Sequence, residues 1–306
     1  MPWDCEKVRR MKIAYAGLAN SHPFTDAEHV ALLRDDVEFH IWDEDASRMD
    51  RFVADHPDAT VHRSFDELLA AQPDGVLITV PPSRVAPLAG ALLTEGCAVA
   101  ITKPAATCHD ELAALEAAVA GREERVLTTS ILRFAPDLAA VTGPVAQVHV
   151  VAAHDIAYWA APESRWQDEA GGLVPMMGAH AFELLEVVLG PTMRVTGCVA
   201  SKASDLPLTS PDVASGTARN ADGVHATFEI DGTVSGQAYR VDYADADGRH
   251  SIRIGESGGA DPFGSEAMTR HLLAMADGAP SPLAWDDTAA VLRAVTDARR
   301  LAEAER

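Results

Sequence analysis

The feature that most constrains the fold is a regular alternation of short apolar runs and helical patterns over about the first 130 residues. Several of the runs, such as Gly75–Val80, are apolar along almost their whole length. This alternation is typical of βαβ units, and such runs fit parallel strands that helices cover on both faces. The sequence therefore predicts an α/β chain whose residues 11–130 form a doubly wound parallel sheet, preceded by an extension over residues 1–10.

The pattern changes in the second half of the chain. A strand-like run over residues 147–155 is followed by an irregular Trp-rich segment and a helix predicted from about Met177 to Leu189. Further strand-like segments cover residues 193–201, 223–231, 232–245 and 249–257, and helices are expected over about 266–276 and from Asp286 onward. The Asp231-Gly232 and Asp247-Gly248 pairs predict hairpins. We expect residues 131–306 to form an α+β domain with a mostly antiparallel sheet.

Composition excludes some classes of function. The chain has 25 Lys and Arg against 46 Asp and Glu, a formal charge of −21, which argues against nucleic acid and anionic membranes as partners. No apolar run reaches about 18 residues, so no membrane span is predicted. The four scattered cysteines favour neither a disulfide framework nor a zinc site and suggest a reducing cytoplasm. The chain has only four lysines, so Lys103 at a strand end carries extra weight.

The turn after the first strand is a degenerate dinucleotide fingerprint. The three glycine positions of G-x-G-x-x-G hold Gly17, Ala19 and His22. A plain βα turn explains this loop equally well. His22 predicts that the helix either begins a few residues late, with Thr25 and Glu28 as a candidate capping box, or stands away from the strand.

Asp43 strengthens the dinucleotide interpretation. It ends the second strand, 43 − 17 = 26 residues after Gly17, where an acidic residue binds the ribose hydroxyls. Glu44 follows, and two acidic residues would repel a 2′-phosphate, so NAD is favoured over NADP. The alternative is that Asp43 caps the following helix.

Four ordered motifs connect the two halves. They are ITVPPS over 78–83, ITKPAA over 101–106, RFAP over 133–136 and GGLVPMMGAHAFELLEVVLG over 171–190. In this order and spacing the chain resembles the glucose–fructose oxidoreductase, inositol dehydrogenase and rhizopine-catabolism (Gfo/Idh/MocA) family. The resemblance implies an NAD(P)-binding Rossmann domain and a substrate domain with a large open sheet that forms homodimer or homotetramer contacts.

The resemblance also implies site residues. Lys103 and His180 match the family's catalytic lysine and histidine, while Thr102 and Met176 replace a glutamate and an aspartate. The alternatives to these catalytic roles are that Lys103 is a surface lysine and that His180 is a structural histidine. In the motif over 171–190, the family's glycines are kept at Gly171, Gly172 and Gly178. The predicted cofactor contacts are Gly17, Ala19, Asn20, Ser21, Asp43, Thr79, Pro81, Thr102 and Lys103.

The missing aspartate leaves open how the site is completed. His154 and Asp155 are candidates to replace it, although solvated loop residues fit as well. Trp159 and Trp166 would stack on a sugar or wall off the nicotinamide, or pack in the core. Arg133 would reach the substrate or form a structural pair. No metal site is predicted.

These features predict an NAD-dependent oxidoreductase that acts on a hydroxyl or carbonyl group of a sugar, cyclitol or related polyol. Two alternatives stay open. The chain has lost redox turnover and serves as a binding or regulatory protein, or it uses bound NAD for an epimerisation or elimination.

Overall fold

The computed structural model describes residues 9–141, 143–256 and 258–305, and most of the predicted extension, residues 1–8, lies outside these ranges. The described chain contains two six-stranded sheets. No described helix is both long enough and apolar enough to span a bilayer.

The first sheet is entirely parallel, as predicted. Its spatial order is β3-β2-β1-β4-β5-β6, the order of a Rossmann sheet. The strands are β1 (Met11–Ala16), β2 (Val37–Trp42), β3 (Thr60–Val61), β4 (Gly75–Ile78), β5 (Ala98–Thr102) and β6 (Val126–Thr129). The connecting helices are α1 (His22–Leu33), α2 (Ala46–Asp55), α3 (Phe65–Ala70), α4 (Val85–Thr94) and α5 (His109–Val119).

Alternate residues of these strands enter two separate cores. Ile13 and Tyr15 of β1 pack on one face, and Ala14 and Ala16 pack on the other. Burial on both faces is the reason why the strands read as continuous apolar runs. The carboxyl ends of β1 and β4 lie side by side where the strand order reverses, the place at which such sheets bind ligands.

The second sheet is mostly antiparallel, also as predicted, with order β12-β11-β7-β10-β9-β8 and one parallel pair, β7 with β10. The strands are β7 (Gln147–His154), β8 (Arg194–Ser201), β9 (Val213–Arg219), β10 (His225–Asp231), β11 (Gln237–Asp245) and β12 (Gly248–Arg253). The helices are α6 (Trp166–Glu169), α7 (Leu173–Leu189), α8 (Ser265–Ala276) and α9 (Trp285–Ala304).

One of the two hairpins predicted for this half is present, and the second sheet contains one strand that was not predicted. The Asp247-Gly248 pair does join the antiparallel strands β11 and β12. The hairpin expected at Asp231-Gly232 is wrong, because β7 lies between β10 and β11. Strand β9 was not predicted, since small and polar residues interrupt its pattern. Its Gly216 packs against Phe228 and the Gly197 carbonyl, where a side chain has no room.

The helices join the two sheets. Helix α7 packs on the second sheet and α9 packs against α7, β8 and α5. Helix α8 packs on the first sheet, where Leu272 and Leu273 share a core with Ile13 and Leu77. The carboxyl ends of the parallel strands therefore face α7 and the segment after β7, and a cleft lies between them.

Candidate active site

The loop after β1 is shaped by close backbone contacts with the end of β4. Gly17 has a φ of +91°, and a Cβ there would collide with the Thr79 carbonyl oxygen and with Val80. The Ala19 N–H donates to that carbonyl oxygen at 3.2 Å. Only glycine satisfies both the backbone conformation and the spacing, so the first fingerprint position is a structural requirement of this turn.

Helix α1 begins at His22, so the late start and the Thr25–Glu28 capping box predicted from the sequence are wrong. Asn20 Oδ1 accepts the His22 N–H at 2.9 Å, and Pro23 has no N–H to satisfy. The loop therefore enters the helix directly, and the first turn of α1 points toward the cleft.

Asp43 braces this loop. It is 8% exposed, its Oδ2 accepts the Leu18 N–H at 2.6 Å, and its Oδ1 accepts the Asp45 N–H at 2.7 Å. It is not the helix cap that the alternative proposed, because Asp45 caps α2. Oδ1 also lies 3.5 Å from Arg48 Nη1, and Oδ2 has a second lone pair left for a ribose hydroxyl.

A groove of about 470 Å³ opens above this loop, and its volume suits a cofactor portion. Its walls include Gly17, Ala19, Asp43, Thr79 and Pro81, all predicted to contact cofactor. The groove, the glycine-dependent turn and the amino end of α1 fit a dinucleotide whose pyrophosphate crosses the turn. These residues would hold NAD, with Asp43 at the ribose.

The groove continues into a larger cleft of about 760 Å³ between the two sheets. Trp166 lies at the junction and lines both spaces, and its Nε1–H donates to the Ala19 carbonyl oxygen at 3.2 Å. Asn20 and Ser21 line the cleft side of the junction. The second domain therefore contacts the cofactor loop directly through one indole.

Lys103 follows β5 and enters the cleft. Its Nζ donates to the Met176 carbonyl oxygen at 3.2 Å. Desolvation lowers the pKa of Lys103 to about 8. Thr102 does not line the cleft: its hydroxyl pairs with that of Thr79 at 2.7 Å and ties β5 to β4.

The Gly171-Gly172 pair sets the position of α7. Both residues have positive φ, and a Cβ on Gly172 would collide with Ser210. Gly178 lets α7 approach Ile230 of β10 closely and leaves room for the ring of Phe182 in the same helix. The helix begins at Leu173, earlier than the predicted Met177, so His180 lies about two turns inside it.

His180 is 6% exposed and lines the cleft beside Lys103. Its Nδ1 lies 2.6 Å from Ser130 Oγ. Burial first, and then the charges of Lys103, His154 and His22, lower the pKa of His180 well below its usual value. The ring is therefore neutral at pH 7 and available to accept a proton.

Two further imidazoles share the cleft. Burial and the charge of Lys103 lower the pKa of His22 to about 4, and the pKa of His154 is lowered by burial. The His154 Nδ1–H donates to the Asp155 carbonyl oxygen at 2.8 Å, which leaves Nε2 as an acceptor. Among the described lining residues, Glu163 is the one carboxylate of the cleft. Other side chains that line the cleft include Tyr158, Gln167, Met177, Gln237, Tyr239 and Phe263.

Three candidate substrate residues do not reach this cleft. Arg133 pairs with Glu183 and Glu186 of α7. Trp159 is fully buried in the core of the second domain. The Asp155 carboxylate accepts the Ala157 N–H at 2.8 Å and begins a short turn. A structural role explains each position: ion pairs for Arg133, core packing for Trp159 and a turn for Asp155.

Sequence reasoning missed two residues that line the cleft, His22 and Tyr239, and also Ser130, which contacts His180 but does not line the cleft. In the sequence, His22 stands out only as a departure from the glycine pattern. The position of Ser130 directly after β6 was an available signal, since ligands bind at the carboxyl ends of parallel strands. Nothing in the sequence marked Tyr239, which depends on how β11 pairs with β7. No group of three or more metal-ligating side chains in the described ranges suits a metal ion.

The fold and groove define a dinucleotide-binding protein of the Rossmann class. A sequence model of the oxidoreductase family with an NAD-binding Rossmann fold matches residues 15–130, and one of the Gfo/Idh/MocA C-terminal domain matches residues 139–254. These matches cover most of the chain, which therefore belongs to the Gfo/Idh/MocA oxidoreductase family. The predictions of family, fold class and cofactor are confirmed.

Solved structures share this architecture over nearly the whole chain. GenD2 from gentamicin A biosynthesis, solved with NAD, is 20% identical with a TM-score of 0.82 and covers 100% of this chain and 98% of its own. Myo-inositol dehydrogenase from Corynebacterium glutamicum is 17% identical with a TM-score of 0.78, covering 97% and 98%. Scyllo-inositol dehydrogenase from Lactobacillus casei is 13% identical with a TM-score of 0.78, covering 97% of each chain. No curated protein matches the chain in sequence.

Proposed function

We propose that the chain is an NAD-dependent dehydrogenase or reductase that acts on a secondary hydroxyl or the matching carbonyl of a sugar, cyclitol or related polyol. The observation that carries this proposal is the convergence of Lys103, His180 and His154 in the cleft that continues from the NAD groove. The structural neighbours that act on inositols support the substrate class.

In this proposal each residue has a defined task. NAD supplies a nicotinamide ring that accepts or donates a hydride. His180 Nε2 takes the hydroxyl proton during oxidation and returns it during reduction. The Lys103 ammonium donates to the same oxygen and favours its deprotonated form. The Met177, Tyr239 and Phe263 side chains limit water around the reacting carbon.

Location and assembly complete the proposal. We place the protein in the cytoplasm, since Cys97, Cys108 and Cys198 are free thiols. The outer face of the second sheet carries the exposed Val199 and several threonines, and we propose that it forms a homodimer or homotetramer contact. Sedimentation velocity tests this assembly.

Binding of NADH, followed by energy transfer from tryptophan, tests the first requirement of the function. Saturable transfer is expected because Trp166 borders the groove. Absence of transfer and of thermal protection at millimolar NADH would refute the oxidoreductase proposal. Formation of NADH from NAD with a panel containing myo-inositol then separates net oxidation from an internal epimerisation or elimination, which leaves NAD unchanged overall.

A further inference from the structure

Ser130 contacts the candidate base His180 directly. It follows β6 and is 1% exposed. Its Oγ accepts the Leu132 N–H at 3.2 Å and lies 2.6 Å from His180 Nδ1. No other described side chain is hydrogen-bonded to Nδ1, and Nε2 has no partner in the described ranges. One serine therefore determines how this imidazole is presented to the cleft.

We propose that Ser130 is the positioning residue of His180 and that it holds Nδ1 so that Nε2 can exchange a proton with the reacting hydroxyl. This inference rests on the proposed function. A hydroxyl both donates and accepts, so it matches either neutral form of the ring. Ser130 Oγ–H donates to Nδ1 when Nε2 carries the proton, and Nδ1–H donates to Oγ when Nε2 is the base.

The proton balance is complete with these groups. In oxidation, the substrate O–H bond breaks and its proton forms an N–H bond at Nε2. The C–H bond of the carbon that carries this oxygen also breaks, the C–O bond becomes a C=O bond, and bound NAD would take up the hydride. Both ring nitrogens of the resulting imidazolium are donors, and Ser130 Oγ accepts from Nδ1. Loss of the Nε2 proton to solvent restores the neutral ring.

The structure holds Ser130 rigidly from α7. Glu183 Oε2 accepts the Ser130 N–H at 3.1 Å, and Arg133 pairs with both Glu183 and Glu186. His180, Glu183 and Glu186 are three residues apart and share one face of the helix. The same face therefore carries the imidazole and the groups that hold its serine partner, which also explains the buried position of Arg133.

The other titratable groups around His180 do not orient it. Lys103 after β5, His154 of β7 and His22 of α1 are the titratable groups that disfavour its protonated form. Tyr239 of β11 contacts the ring face, with centroids 5.3 Å apart. Met176 stands where the family resemblance places an aspartate. A neutral hydroxyl thus provides the orientation that a carboxylate provides in other catalytic histidines.

Ring ¹⁵N chemical shifts of His180 test the proposal without a substrate. We expect wild-type protein to show one neutral tautomer or a fixed ratio between the two above pH 7. Ser130→Ala should change the ¹⁵N chemical shifts of both ring nitrogens of His180. Ser130→Thr should restore the wild-type shifts. Ser64→Ala is the matched control, because Ser64 caps α3 through its hydroxyl far from His180. Unchanged His180 shifts in a folded Ser130→Ala protein would overturn the proposal.

Turnover with NAD and myo-inositol provides the second readout. Ser130→Ala should lower kcat about 10-fold or more with little change in KM, displace the pH profile of kcat, and recover in Ser130→Thr. Equal rates for wild type and Ser130→Ala would overturn the role in proton transfer. If wild type shows no redox turnover with any polyol while the ¹⁵N shifts respond to Ser130→Ala, the proposed function fails and the orientation of His180 by Ser130 stands.

Discussion

The NAD groove and the cleft beside it are built by different means. The groove is shaped by the backbone: Gly17 fits because of its φ and its distance from Thr79, and Asp43 holds the loop through two N–H groups. The cleft depends on side chains, one lysine and three imidazoles around it. Substitutions in the fingerprint at Ala19 and His22 leave the groove intact, whereas Met176 changes the chemical groups available in the cleft.

A sequence motif can degenerate in two ways. A fingerprint that works through backbone N–H groups tolerates other side chains as long as the turn keeps its shape. A catalytic set tolerates a lost carboxylate only if other groups take its proton and orient its partners. Here the imidazoles of His22, His154 and His180 stay neutral around the Lys103 charge.

Removing Lys103 or His180, the proposed catalytic pair, should separate the groove and the cleft most strongly. We expect His180→Ala and Lys103→Met to lower kcat by about 10²–10⁴-fold, because each loses a group that handles the hydroxyl proton or its charge. The NADH affinity of His180→Ala should stay within about 3-fold of wild type, since His180 is not among the predicted cofactor contacts. Turnover with myo-inositol and NADH titration measure both effects, and unchanged turnover in His180→Ala would remove His180 from the mechanism.

Gly17→Ala should act on the groove, and so on NADH binding, where the previous substitutions act on turnover. The added methyl group collides with the Thr79 carbonyl and requires a positive φ, so we expect a loss of about 1–3 kcal/mol in unfolding free energy and loss of NADH binding. Gly96→Ala is the control, since Gly96 also has positive φ but no atom lies within 4 Å of the added methyl. Equal NADH affinity in Gly17→Ala and wild type would contradict the account of the groove.

Acid should destabilise the folded protein in part through the histidines of the cleft. The folded-state pKa values of His22 and His180 are lowered, so these residues stay neutral when folded and bind protons when unfolded. Their contribution is constant above about pH 6.5 and decreases as the pH falls toward 4. We expect Tm to drop between pH 6.5 and 5, and the drop to shrink in a His22→Gln, His180→Asn double variant. An equal drop in that variant would assign the effect to other groups.

Trp166→Phe should have the smallest effect. It removes the half-buried hydrogen bond to the Ala19 carbonyl, worth about 0.5–1.5 kcal/mol, so NADH should bind no more than about 10-fold more weakly. The energy transfer from tryptophan to NADH should fall sharply in this variant, because Trp166 borders the groove. Transfer at the wild-type level would place the responding tryptophan elsewhere.

The sequence predicted the groove better than the cleft. Strand alternation, Gly17 and Asp43 are local signals, and parallel strands bring their carboxyl ends together without further information. The cleft also depends on long-range pairing: β7 lies between β10 and β11, which brings Tyr239 to His180. Arg133 and Trp159 look like binding residues in the sequence, and only packing shows that Glu183, Glu186 and the core use them.

The central claim is that this cleft oxidises a hydroxyl with Lys103 and His180 while NAD occupies the groove. Its most direct test is the formation of NADH and the matching ketone from NAD and a panel of cyclitols and sugars, measured for wild type and His180→Ala in parallel. The account predicts equimolar NADH and ketone with wild type and a rate lower by about 10²-fold or more with His180→Ala. Tight NADH binding together with no NADH formation from any member of the panel would contradict it.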